Sequence, residues 1–296
     1  MMNKFLLKNI ASRWAGGAAV GLMMLGVFGS QTASAQIAST RHNLGSTALG
    51  LVNMRNSGTG EICVFCHTPH GADISVLAVP LWNRSLPLAT SYTTYNSLGT
   101  SSLDGATVPV GSVSIACLSC HDGASAINVM INTPGSGSVA LPGGGWSGTG
   151  GGVSAGGLMV GASTNLTTDL RNDHPIGIQY GGGMPAGGAY TTGVIAAGAL
   201  KDTDYRAVQY ASLNSQPVWW VDTAIGAAGT RQKTDMQLYT RTNATSLVGS
   251  AATGPVLAGA QAFVECASCH DPHTTNTTFL RISNVGSAVC LACHIK

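Results

Sequence analysis

The chain has 296 residues, long enough for one or two ordinary domains. Charged residues make up only 9% and aromatics 6%, against 40 glycines, so few large side chains are at hand for a conventional apolar core. The formal charge of +2 comes with no basic stripe, which leaves no case for a nucleic-acid partner.

In chain order, residues 1–35 read as a secretory signal. Lys4, Lys8 and Arg13 form a positive start, an apolar run follows from Ala15 to about Gly29, and Ala33-Ser34-Ala35 is a small-residue cleavage site. The mature chain is then expected to begin at Gln36. A membrane-anchoring helix is the competing reading, but the run is short for a span and no later segment has the length of one. No cysteine sits at the cleavage point to take a lipid. Removing these three basic residues leaves eleven against twelve acidic ones, a charge near −1, so anionic membrane surfaces are poor partners too.

Residues 36–131 hold two C-x-x-C-H sequences, Cys63-Val64-Phe65-Cys66-His67 and Cys117-Leu118-Ser119-Cys120-His121. Two more, Cys266-Ala267-Ser268-Cys269-His270 and Cys290-Leu291-Ala292-Cys293-His294, lie in residues 263–296. All eight cysteines are thereby used. C-x-x-C-H attaches c-type haem: the thiols form thioethers with the porphyrin and the histidine binds the iron. On a helical turn, positions i, i+3 and i+4 share one face, which brings both sulfurs and the imidazole to one porphyrin. Zinc ribbons, disulfides and thioredoxin-like sites also use cysteine pairs, but none requires a histidine after every pair. Four haem c groups are expected, numbered 1 to 4 in motif order.

Four further histidines, His42, His70, His174 and His273, match the number of distal positions on four irons. Methionine at one or two irons is the alternative, with Met54, Met130, Met159, Met184 and Met236 as candidates. Each half of the chain has a leading histidine, a motif with a trailing Pro-His (Pro69-His70, Pro272-His273), and a plain motif, as in a duplicated di-haem unit. A histidine three residues after its motif, with proline between, leaves the haem-binding turn and cannot reach the far face of its own haem. Chain order then assigns His42 to haem 1, His174 to haem 3 and His273 to haem 2. His70 is left for haem 4 of a neighbouring copy, a head-to-tail contact that gives a filament or ring. His70 reaching haem 4 of its own molecule is the alternative.

Residues 132–262 form a Gly/Ser-rich and partly β insertion. Val139, Leu141, Trp146, Leu158 and Val160 recur through its glycine-rich start, which reads as a lobe with short extended pieces. Residues 189–240, with Val218-Trp219-Trp220-Val221, suit short strands, and the paired tryptophans read as local core. The expected fold is a mostly irregular, coil-rich multihaem cytochrome c with short helical turns at the motifs and a few short strands. The haems would form the core, and the haem-free chain would fold poorly.

Arg41-His-Asn-Leu-Gly45, Cys63-Val-Phe-Cys-His-Thr-Pro-His-Gly71, Pro80-Leu-Trp-Asn-Arg-Ser85, Ala116-Cys-Leu-Ser-Cys-His-Asp-Gly123, Leu170-Arg-Asn-Asp-His-Pro-Ile-Gly177 and the last two motifs with Phe279-Leu-Arg281 resemble extracellular multihaem cytochromes of metal-reducing bacteria. With four haems the chain is most similar to the OmcE-type tetrahaem cytochromes, a filament-forming family; about 178–262 has no matching stretch. The resemblance implies electron transfer outside the cell or at its surface, with copies of the chain, other periplasmic or outer-membrane cytochromes and extracellular acceptors as partners. A soluble periplasmic shuttle and a multihaem reductase are the alternatives. A reductase needs an open coordination position, whereas each iron here has a possible sixth ligand, so an electron-transfer protein rather than an enzyme is expected.

Overall fold

The computed structural model describes residues 36–48, 54–76, 78–135, 146–147, 152–154, 156–161, 163–185, 192–241 and 259–295. The expected signal at 1–35 lies outside them. Among the described residues, no helix is long and apolar enough to cross a membrane.

The runs rich in β-branched and aromatic residues become strands, and six of them join in one antiparallel sheet. They are β3 (Ile178–Gln179), β4 (Thr192–Ile195), β5 (Val208–Leu213), β6 (Gln216–Val221), β7 (Met236–Arg241) and β8 (Gln261–Val264), in spatial order β3-β8-β7-β6-β5-β4. Strands β5 and β6 meet in a two-residue turn, Asn214-Ser215, both left-handed with φ of 50° and 63°. That turn matches the right-handed twist of the hairpin. Side chains alternate across β6: Trp219 and Val221 join Val208, Met236, Leu238, Tyr180 and Ile195 in one apolar core. Trp219 Nε1 also donates to Thr240 Oγ1 at 3.0 Å.

This sheet corrects the expected fold. The molecule is β-rich, not mostly coil, and the protein supplies an apolar core of its own instead of leaving that to haem. The short strands expected in 189–240 are real (β4 to β7), but β3 and β8 extend them to a six-stranded platform. Low aromatic content did not prevent this, because the aromatic and β-branched residues present are concentrated here. Of the methionine candidates, Met184 and Met236 are buried in this core.

The motifs sit on short helical pieces. Motif 1 is a 3-10 turn at Cys63–Phe65. Motif 2 ends α1 (Ser112–His121), three turns where a single turn was expected; its Ile115, Ala116 and Leu118 pack against Val76, Val79, Tyr92, Val110 and Leu170. Motif 3 is α2 (Cys266–Cys269) and motif 4 lies on α3 (Ala288–Leu291). Ile282 and Ala292 are buried in the sheet core, with Cys269 and Cys293 packed against it, so the sheet carries the last two motifs. From the glycine-rich stretch, β2 (Trp146–Ser147) pairs with the earlier β1 (Arg55–Asn56), Leu158 bridges to Ala126, and Val153 bridges to Met159. Val139 and Leu141 lie outside the described residues.

Candidate functional site

Three of the four motifs are built on one plan, a helical turn answered by a short returning segment. At motif 1, His67 pairs with Trp82, and Asn83 N–H donates to Cys66 O at 2.9 Å. At motif 3, His270 pairs with Leu280, and Arg281 N–H donates to Cys269 O at 2.8 Å. At motif 4, His294 pairs with Tyr205, and Arg206 N–H donates to Cys293 O at 2.8 Å. The side chain that follows the pairing residue then bonds the carbonyl of the first residue between the cysteines. Asn83 Nδ2 reaches Val64 O at 2.6 Å, Arg281 Nε reaches Ala267 O at 3.0 Å, and Arg206 Nε reaches Leu291 O at 2.6 Å. Each bond satisfies a carbonyl that a single helical turn leaves unpaired.

Backbone carbonyls fix three of the motif histidine rings. His67 Nδ1 lies 2.9 Å from Pro80 O, His121 Nδ1 2.8 Å from Thr164 O, and His270 Nδ1 2.8 Å from Thr278 O. A carbonyl only accepts, so each Nδ1 carries the proton and each Nε2 keeps its lone pair for a metal. Burial holds His121 below the usual histidine range, which keeps it neutral and competent as a ligand.

Two of the other histidines face motif histidines. His273 stands opposite His67, centroids 6.4 Å apart and planes 13° from parallel. His42 stands opposite His121, centroids 6.2 Å apart and planes at 72°. An iron bridging two imidazoles through bonds of about 2.0 Å sets the centroids about 6.3 Å apart, at any twist between the planes. His273 Nδ1 is tied to Asp271 Oδ1 at 3.2 Å, again freeing Nε2. His42 is stacked on Phe279 at 4.1 Å, and its Nδ1 is enclosed with no hydrogen-bond partner. Burial, then the neighbouring His121, pushes His42 down to about 4, so it too is neutral. These donor sets fit haem iron.

The partners are crossed relative to chain order. His42 lies beside the second motif rather than the first, and His273 beside the first rather than the second. His70 and His174 are exposed, and neither ring contacts a motif histidine among the described residues. Thr68 Oγ1 and Asn132 Nδ2 pin the His70 carbonyl at 3.0 and 2.7 Å, which leaves its side chain outward.

The sulfurs form a series. Cys66 lies within electrostatic reach of Cys120, the Cys117 thiol donates to Cys266, and Cys293 lies within reach of Cys269. That hydrogen bond, more than burial, holds Cys117 high and Cys266 low. Burial pushes Cys66 and Cys293 up to about 12 and Cys269 up to about 11. None of the eight cysteines is in a disulfide, and among the described residues no three His, Cys, Asp or Glu side chains converge on one metal position.

Residues 254–296 match the family model described as a doubled CXXCH motif. The matched segment takes in motifs 3 and 4. The doubled motif suggests covalent haem c binding and an electron carrier of the c-type cytochrome kind. No curated protein matches the chain.

Sequence reasoning missed the framing residues. Asn83 and Arg281 belong to stretches quoted only for resemblance. Arg206 carries no local signal, since its segment precedes motif 4 by more than one whole element of the sheet. The link between motifs 2 and 3 was equally hidden: Ser114 Oγ donates to Glu265 Oε2 at 2.6 Å and accepts from Cys266 N–H at 2.9 Å.

Proposed function

We propose that this chain is an exported electron-transfer protein that holds four haem c groups in series, each iron between two histidines. In this reading, copies join head-to-tail into an extracellular filament that delivers electrons to external acceptors. The observation that carries it is the pair of facing imidazoles, His67 with His273 and His42 with His121, at the spacing a six-coordinate iron requires. Bound haem c supplies an iron that takes up and releases one electron. The chain holds the ligands still. Carbonyls fix three motif rings in one tautomer, and two histidine ligands leave no open position for a substrate, which counts against a reductase.

His70 and His174 remain for motifs 3 and 4. In the first half the leading His42 serves the plain motif, so by repetition His174 serves motif 4. The trailing His273 serves the first motif of the preceding half. By the same repetition, the trailing His70 serves the third motif of a neighbouring copy, not the fourth. The exposed His70 and the exposed His270 suit such a contact. The resemblance to OmcE-type cytochromes supports the filament.

The experiment is to purify the protein from outside the cell, weigh it, and image it by electron cryo-microscopy. The expected mass is the polypeptide plus four haems, in filaments. Protein without haem would overturn the reading. His70→Ala should give unassembled subunits with a high-spin haem at motif 3; intact filaments with every iron low-spin would refute the head-to-tail contact.

A further inference from the structure

Between the first two motifs lies a charge that the ligand scheme does not use. Arg84 is only 2% exposed. Its guanidinium donates to Ser119 O at 2.8 Å, Ile127 O at 2.7 Å, Ala126 O at 2.6 Å and Ser119 Oγ at 3.3 Å. All these acceptors are neutral. No carboxylate lies within 4 Å of Arg84 among the described residues. Its place follows from the frame: Asn83, one residue earlier, bonds Cys66 and Val64 of motif 1, while Arg84 itself bonds Ser119 inside motif 2. The guanidinium lies within electrostatic reach of Cys66 and Cys120, the second haem-linking sulfur at each of these motifs, and the buried Asp122 lies within reach of Cys120 as well.

Burying a cation against neutral acceptors is costly, and a clamp alone needs no charge. A neutral amide could bond carbonyls at the same place. The third motif shows the cancelled arrangement. There the buried Arg241 is met by Glu265, Nη2 to Oε1 at 2.7 Å, next to Cys266.

We infer that Arg84 is a redox-tuning residue: its buried charge, held in no ion pair, raises the reduction potentials of haems 1 and 2. Reduction adds one electron to a ferric iron and moves no proton, so the site loses one positive charge. A fixed cation in a low-dielectric interior favours that lower-charge state. The effect is expected to be largest at motifs 1 and 2, the two that Asn83 and Arg84 bond. This rests on haem occupying motifs 1 and 2, which haem content measures separately.

The test is spectroelectrochemical titration of the holoprotein, with haem content from mass and the pyridine haemochrome. Haems are assigned by comparison with variants lacking the Cys63/Cys66 or Cys117/Cys120 pair. Arg84→Gln should keep four haems and shift two potentials negative, leaving the other two in place. Arg84→Lys, which keeps the charge and loses the planar fork, should titrate like wild type. An Arg84→Gln protein with four haems and unchanged potentials overturns the inference. Should Arg84→Gln fail to load haem, Arg84→Lys decides: four haems at wild-type potentials support the charge, and displaced potentials overturn it. Missing haem in the wild type would instead refute the cytochrome reading.

Discussion

His273 faces His67 across 6.4 Å with the two rings 13° from parallel, although one belongs to the third motif's segment and the other to the first. The pair makes a direct prediction. His273→Ala should turn haem 1 high-spin, and His42→Ala should turn haem 2 high-spin. Electron paramagnetic resonance, with each haem identified by loss of its cysteine pair, reads the outcome. The opposite assignment, haem 2 for His273 and haem 1 for His42, would restore the order expected from the sequence and reject the observed pairing.

Asn83 is fully buried and closes motif 1 from both sides. Its amide donates to Val64 O at 2.6 Å and Asn132 O at 2.8 Å, and its oxygen accepts from Asn132 N–H at 2.8 Å. Asn83→Leu leaves these backbone groups buried and unpaired, at about 1–3 kcal/mol each before relaxation. A loss of about 3 kcal/mol is expected in denaturant unfolding followed by haem absorbance. A change under about 0.5 kcal/mol would mean that water replaces the amide without penalty.

The sheet has an apolar core independent of any cofactor for much of its extent, from Val208 and Trp219 to Met236 and Leu238. Full-length chain made without haem attachment should therefore retain β-sheet circular dichroism while the motif segments loosen. Complete loss of the β signal on haem removal would return the protein to the class of chains that fold only around their metal.

Ser215 holds φ of 63° in the β5–β6 turn, a conformation that costs a side chain about 1 kcal/mol and costs glycine almost nothing. Ser215→Gly should stabilise the protein by about 0.5–1 kcal/mol, part of the gain being offset by the freer unfolded chain. Thermal unfolding measures it, and a destabilised variant would show that the turn is not type I′ in solution.

The motif chemistry was legible because it is local. Two cysteines and a histidine at i, i+3 and i+4 converge wherever a helical turn forms, so Cys266, Cys269 and His270 announce their role without reference to the rest of the chain. The number of remaining histidines was legible too. Their pairing was not. His42 reaches His121 because it stacks on Phe279, and His273 reaches His67 because α2 docks on α1 through Ser114 and Glu265. Those contacts join residues far apart in the chain, and no spacing rule encodes them.

The sequence by itself offered the candidate haem-binding atoms: eight sulfurs and four imidazoles at the C-x-x-C-H spacing, with four more imidazoles in number. Only the tertiary structure decided which distant histidine faces which motif, that Arg206 frames motif 4 from upstream, and that a six-stranded sheet carries the last two motifs. The reason is physical. Attachment depends on side chains a helical turn apart, whereas ligand pairing and framing depend on long-range packing, such as the pairing of β3 with β8 and the buried Arg241–Glu265 ion pair beside Cys266.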